Sequence, residues 1–343
     1  MVSPDLGRFG RVFADNTRDG NGQKGMQFST LGVQEENVLH GLEGLKTITP
    51  EFLSKYGITL VGIRGGDGSL SILFDAIAHM PDGTPPPAVF LGGGGSANTL
   101  LKEIRRQGTV PIPTEPEHVF SPELYEAHLY SPPELRYQAS GDHPSIRQSI
   151  VYLYGACHLS VMGTTLQDRI AARGIRNPQV TYTLAGVGTL AKLFGPHLQP
   201  QLVSYEKDQQ IYSAEKEDRL VCLTIAMPRL GMFQFREQIS PNELWVLTNE
   251  GNPDLARVRY MLMALIGVLP GGPDLALKMG LLTRRIVEKV TIQPDPAAAR
   301  EGNPNSNYDG QLCSIEGLVE VYRPPEPERR LHIITLKVNS KAL

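Results

Sequence analysis

The stretch VGIRGGDGSLSILFDAIAHM, Val61–Met80, runs apolar into Arg64 and turns through Gly65-Gly66-Asp67-Gly68-Ser69. It then resumes with Leu70, Leu73, Phe74 and Ile77 at helical spacing. Ile58 to Arg64 (ITLVGIR) reads as a strand, and Ser69 to Met80 as a helix with one buried face. Glycines at such a junction make a tight turn and let backbone approach a ligand closely. The helix start adds N–H groups and the positive end of a dipole, so the junction is an anion site by geometry. Asp67 places a carboxylate where an anion would sit. A carboxylate there binds a cation, accepts a proton, or caps the following helix.

The pattern repeats downstream. After the turn DGTPPP, Ala88-Val89-Phe90-Leu91 reads as a strand, followed by Gly92-Gly93-Gly94-Gly95-Ser96 and a helix through Asn98, Leu100, Leu101 and Ile104. Two strand–glycine–helix units in succession are the signature of a parallel α/β layer, whose ligand crevice lies at the carboxyl ends of its strands. Upstream, Arg11-Val12-Phe13-Ala14 reads as a short strand before the turn-rich DNTRDGNGQKG. Thr49 and Pro50 open a helix as N-cap and first residue, and Gly57 ends it. From Gly108 to about Ser145 the chain is rich in proline and polar residues, as expected of a connection. Beyond it, Ile150–Tyr154, Leu220–Ile225 and Glu243–Leu247 read as strands of a mostly β second domain. Leu255–Leu269 reads as a helix packed on that sheet, a membrane contact being the alternative.

Bulk properties narrow the class. A chain of 343 residues exceeds one ordinary core, which argues for two domains. Apolar content of 41% and charged content of 20% are those of a soluble globular protein. A net charge of −3 gives no electrostatic footprint for nucleic acid. Cys157, Cys222 and Cys313 match no zinc spacing and read as reduced structural thiols. The opening MVSPDLGRFGRVFADN does not resemble a signal peptide, and Tyr260–Leu269 is too short to span a bilayer, so a cytoplasmic location is expected. Neither glycine loop is followed by the Gly-Lys-Ser/Thr of a P-loop, and the GxGxxG spacing of dinucleotide folds is missing. No Gly-x-Ser-x-Gly supports a hydrolase. The histidines are scattered, and His158 reads as a packed residue.

Taken together, GGDGS at Gly65–Ser69 and GGSAN at Gly94–Asn98 resemble the diacylglycerol kinase catalytic family, which includes sphingosine kinases and bacterial lipid kinases. Ser69 and Ser96 stand where that family usually has threonine, and Thr99 where it has aspartate. Asn16-Thr17-Arg18-Asp19-Gly20 resembles its Asn-Pro-x-Ser-Gly, and Asp309-Gly310-Gln311 its late Asp-Gly-Glu. NAD kinase and phosphofructokinase share the GGDG loop but match the order of motifs less well.

The resemblance implies an NAD kinase/diacylglycerol kinase-like fold: an α/β nucleotide-binding domain with a parallel sheet over 1–145, rejoined by a return segment at 326–343, and a β-rich substrate-binding domain over 146–325. It implies transfer of the γ-phosphoryl group of ATP, with Mg²⁺, to a hydroxyl of a lipid or lipid-like acceptor. Asn16, Gly20, Gly65, Gly66, Gly68, Ser69, Gly94, Gly95, Ser96 and Asn98 would hold the nucleotide. Asp67 and Asp309 would flank the reacting centre, and Arg173 and Arg176 would neutralise the transferring phosphate. No metal ligand set is assigned. A peripheral membrane contact and a homodimer are compatible with this reading. Gln311 opens a second one, because glutamine takes no proton at neutral pH: a catalytically weakened nucleotide- or lipid-binding homologue. Glu316 is a substitute carboxylate of undetermined direction, and Ser240-Pro241-Asn242-Glu243 lacks the family's Asp-Gly metal motif.

Overall fold

The computed structural model describes residues 11–15, 38–92, 99–106, 125–138, 145–175, 178–192, 198–213, 221–230, 233–249, 258–259, 261–262, 266, 271–324 and 331–336. The chain divides into two compact units, 1–132 with 325–343, and 133–324.

The first unit is built on a six-stranded sheet. Its elements are β1 (Arg11–Asp15), β2 (Val38–His40), α1 (Gly41–Lys46), α2 (Pro50–Lys55), β3 (Leu60–Arg64), α3 (Asp67–Ala78), β4 (Ala88–Leu91), α4 (Thr99–Arg106) and β5 (Tyr125–Tyr130). The return strand Leu331–Leu336 enters between β4 and β5, giving the order β2-β1-β3-β4-return-β5. All pairings are parallel except that of the return strand with β5. The central strands bury Val12, Ala14, Val61, Ile63, Val89 and Phe90. Such uninterrupted apolar runs suit parallel strands covered on both faces.

Local chemistry sets the helix ends. Thr49 accepts the Phe52 N–H at 3.1 Å and Pro50 occupies the first position of α2. Gly57, at φ +56°, takes the left-handed conformation that closes it. α3 buries Leu70, Leu73, Phe74 and Ile77 as its spacing predicts. It begins at Asp67 rather than Ser69, because the Gly66 carbonyl already accepts from Ser69 and Leu70.

The second unit mixes two antiparallel six-stranded sheets with a helical pair. In chain order it contains β6 (Glu134–Gln138), β7 (Ser145–Ser149), β8 (Leu153–Gly155), α5 (His158–Ala172), α6 (Pro178–Ala191), β9 (Gln201–Lys207), β10 (Gln210–Ser213), β11 (Cys222–Ile225), β12 (Arg229–Leu230), β13 (Phe233–Gln234) and β14 (Leu244–Thr248). β15 (Thr283–Val287), β16 (Lys289–Gln293), β17 (Ser306–Tyr308), β18 (Gln311–Cys313) and β19 (Val319–Tyr322) complete the sheets. Their orders are β10-β9-β16-β19-β6-β7 and β15-β14-β11-β8-β17-β18. Trp245 is fully buried, meets Phe235 edge-on at 5.5 Å, and lies under the Arg284 guanidinium at 4.3 Å.

Three sequence expectations are refined. The stretch 108–145, expected as a connection, contains the boundary between the units after Pro132 and also contributes β5, β6 and the start of β7. β5 and β7 lie at sheet edges, whereas β6 lies between β19 and β7 and buries Leu135. The strand expected over Ile150–Tyr154 begins only at Leu153, since the chain bends at Val151 and Tyr152. The β-rich half also holds the two long helices α5 and α6. The helix expected over Leu255–Leu269 lies largely outside the described residues, and its described positions are helical. Among the described residues no helix is long and apolar enough to cross a membrane.

Candidate functional site

β1 and β3 end side by side, with Asp15 opposite Arg64, and Arg64 Nη1 meets Asp15 Oδ2 at 2.8 Å. This ion pair closes the carboxyl edge of the sheet just before Gly65. Sequence reasoning missed it, although opposite charges ending two adjacent apolar strands were a usable signal. Gly65 is buried. Gly66 then caps α3 in extended conformation (φ −87°) without a side chain. Ser69 is buried on the first turn of α3. Beside it, Gly92 continues the ladder by donating to the Ile63 carbonyl at 2.8 Å.

Asp67 is 4% exposed and is the first residue of α3. Both of its carboxylate oxygens accept the backbone N–H of Thr99, at 2.8 and 3.0 Å, and Thr99 is the first residue of α4. The carboxylate therefore caps the neighbouring helix rather than its own, and ties the starts of α3 and α4 together. A charged hydrogen bond of this kind contributes about 1.5–3 kcal/mol. Burial pushes the Asp67 carboxyl above its ordinary range, against the N–H groups of Thr99 and Leu100 and the charge of Lys102. One helical turn beyond Thr99, Glu103 is buried with neither carboxylate oxygen hydrogen-bonded to a described residue. Nothing in the sequence marked it.

Asp309 lies in the second unit, in the two-residue turn between β17 and β18. Asp309 (φ 48°) and Gly310 (φ 86°) both adopt positive φ while Tyr308 pairs with Gln311. Asp-Gly is the preferred sequence for such a type I′ hairpin. The Asp309 carboxylate accepts the N–H of Val151 on one oxygen and those of Tyr152 and Leu153 on the other, at 3.0 and 3.1 Å. Asn307 braces the turn by accepting the Gly310 N–H and donating to Ser160 and Thr164 on α5. Asp309 is thus a turn anchor committed to backbone, and its three donors account for the bend at 151–152.

Of the other candidates, Gln311 is half-buried at the head of β18 and Glu316 is exposed in the loop that follows. Arg173 is exposed at the end of α5. Ser240 and Glu243 close a turn by backbone hydrogen bonding at 3.0 Å. His158 is buried at the first position of α5. Asn16, Gly20, Gly94, Gly95, Ser96, Asn98 and Arg176 lie outside the described residues. The three cysteines, distant in sequence, gather about the buried Tyr154, whose phenol meets Ser306 Oγ at 3.1 Å. All three are free thiols.

A parallel sheet with a glycine turn at its carboxyl edge, a strand-rich unit and a strand that returns to the first sheet is the fold of diacylglycerol kinase-like proteins. Among solved structures the chain is similar to a diacylglycerol kinase from Bacillus anthracis str. Sterne, with a TM-score of 0.54 at 14% identity, covering 97% of this chain and 98% of that one. A second structure from that organism, provisionally described as a diacylglycerol kinase, gives a TM-score of 0.52 at 14% identity over 96% and 98%. Yeast NADH kinase complexed with NADH gives 0.44 at 10% identity over 96% and 84%. No protein-family model matches the chain, and no curated protein matches it.

Proposed function

We propose that the chain is an ATP-dependent phosphotransferase that moves the γ-phosphoryl group to a hydroxyl of a lipid or lipid-like acceptor. The observation that carries the proposal is the bond between Asp67 and Thr99. It holds two glycine-led helix starts together at the rim of a parallel sheet, where helix dipoles and close backbone favour a polyphosphate. The glycines at 65, 66 and 68 would let the backbone meet phosphate oxygens, and the described part of the rim offers the start of α3 for that purpose.

Asp67 suits the role of proton acceptor better than Asp309. Both oxygens of Asp67 accept the Thr99 N–H, the Leu100 N–H adds a further bond, and burial raises the affinity of the carboxylate for a proton. Asp309 has both oxygens engaged by the backbone N–H groups of Val151, Tyr152 and Leu153. The acceptor oxygen would bond to the γ-phosphorus as the bond to ADP breaks, with the hydroxyl proton passing to Asp67. Transfers of this kind depend more on positioning and charge than on deprotonation.

Among the described residues no group of three or more metal-ligating side chains is found. Mg²⁺ needs none, since it is commonly held by one or two carboxylates and the phosphates. Asp67, and Glu103 with oxygens bonded to no described residue, are the carboxylates that would hold the ion. When bound, it would neutralise phosphate charge.

Gln311 favours the second reading, a homologue that binds nucleotide or lipid and turns over weakly. Incubation with labelled ATP, Mg²⁺ and a panel of diacylglycerols, sphingoid bases and other lipid alcohols separates the two. Transfer that vanishes in Asp67→Asn supports the enzyme. Binding of an ATP analogue with no transfer to any acceptor supports the binder.

A further inference from the structure

One row before the carboxyl edge of the first sheet, Leu39, Ala14, Ile63 and Leu91 stand side by side, all apolar. The next row, on β2, β1 and β3, is His40, Asp15 and Arg64. The side chains of Arg64 and Asp15 are only 14% and 16% exposed, and one hydrogen bond, from Nη1 to Oδ2, joins them. Arginine and carboxylate commonly meet through two parallel bonds. Here the fork is only partly spent, and Arg64 Nε is buried without a hydrogen bond to any described residue.

Such a pair is a poor source of stability. Withdrawing two charges from water costs more than a single bond returns, and apolar side chains of similar volume often serve the fold as well or better. Its position accounts for it. Arg64 adjoins Gly65, and ligands of parallel α/β sheets lie at this edge. On the first turns of α4, Glu103 is also buried, with both oxygens bonded to no described residue. A cationic and an anionic side chain, each short of partners, thus flank one glycine rim. An anion that arrives with a cation satisfies both.

We propose that Arg64 is a phosphate-binding residue of the rim, its guanidinium taking oxygens of the nucleotide's phosphate tail, and that Asp15 is the positioning residue that holds it there. The inference rests on the nucleotide reading of the rim and adds to it a full charge supplied by the chain. Helix starts and glycine N–H groups offer only partial charges. A guanidinium stays charged at any working pH, and its planar fork matches phosphate oxygens. Because Asp15 offsets part of that charge, Arg64 acts through directed N–H bonds, and an ammonium is a poor substitute.

The test is titration calorimetry of the full chain in Mg²⁺, with ATP and inorganic tripolyphosphate as probes. The wild type should bind both. Arg64→Gln, whose amide can still donate to Asp15, should bind both at least about tenfold more weakly. Should that variant fail to fold, Arg64→Lys keeps a charge beside Asp15 without the fork, and a loss of at least about threefold is expected. Exchanging the pair, Asp15→Arg/Arg64→Asp, preserves an ion pair and moves the cation to β1. A purely structural pair predicts wild-type affinity in the exchanged protein, whereas the proposal predicts the loss seen in Arg64→Gln. ATP bound alike by wild type and Arg64→Gln overturns this inference and leaves the kinase reading standing. So does undiminished binding by the exchanged pair, and so does a loss for ATP but not tripolyphosphate, which sets Arg64 against the nucleoside. A wild type that binds neither probe overturns both.

Discussion

Thr99 donates one backbone N–H to both carboxylate oxygens of Asp67, across 32 residues of sequence. The glycine turn before α3 and the start of α4 are thereby joined through a single buried side chain. Two replacements at Asp67 separate its electrostatics from its hydrogen bonding.

Asp67→Asn keeps an oxygen for Thr99 and removes the buried charge. The folded-state pKa of Asp67 is raised, so its contribution to stability is full below the unfolded value near 3.8 and is lost as pH rises through the folded value. At neutral pH the wild type therefore carries a cost that Asn lacks. Thermal melts should show Asp67→Asn more stable than wild type near pH 7, with the difference closing in acid, while phosphoryl transfer disappears.

Asp67→Ala leaves the Thr99 N–H buried without its acceptor. A loss of about 1–3 kcal/mol is expected in urea unfolding, the opposite sign to the Asn variant.

In the second unit, Asp309→Ala strands the N–H groups of Val151, Tyr152 and Leu153. Denaturant titration should register a loss of about 3–5 kcal/mol. Gly310→Ala, at φ 86° with open space around a new Cβ, should cost only about 1–2 kcal/mol through backbone strain.

Gln311→Glu tests the weakened-homologue reading. It should raise the rate of ATP-dependent transfer if a missing carboxylate limits the wild type. An unchanged rate, with transfer still dependent on Asp67, assigns proton removal to Asp67 alone.

Native protein should resist alkylation near pH 8. Burial holds the Cys157 thiol up and pushes Cys313 up to about 12, so little thiolate exists at either. Fast labelling of the folded chain, read by mass spectrometry, would contradict this packing.

Much of the first sheet was legible because its signals are local. Thr49-Pro50 capped a helix as read, the apolar runs before Gly65 and Gly92 became β3 and β4, and the period of Leu70, Leu73, Phe74 and Ile77 became the buried face of α3. Polar edge strands such as Ser145–Ser149 gave no comparable signal, because one side of an edge strand has no neighbour to demand apolar residues. The run Ile150–Tyr154 looked like a strand, but its amides are claimed by Asp309 more than 150 residues later. Of the glycine and aspartate positions read from the sequence, Gly65, Gly66, Asp67, Gly68 and Asp309 lie among the described residues, and Gly94 and Gly95 do not. The partner of the Asp67 carboxylate was not legible, because a side-chain bond between two helix starts leaves no periodic trace. Asp309 was found through its Asp-Gly pair, yet that pair is also what a tight hairpin requires.

The central claim is that the glycine rim beside Asp67 binds a polyphosphate. Titration calorimetry of ATP·Mg²⁺ into wild type and Gly66→Asp tests it most directly, since Gly66 has an ordinary φ of −87° that accepts a side chain and the variant alters the rim rather than the backbone. Saturable binding by the wild type, weakened at least about tenfold in a Gly66→Asp variant of normal melting temperature, is the expected result. Equal affinity in the two proteins, or no heat in either, contradicts the account.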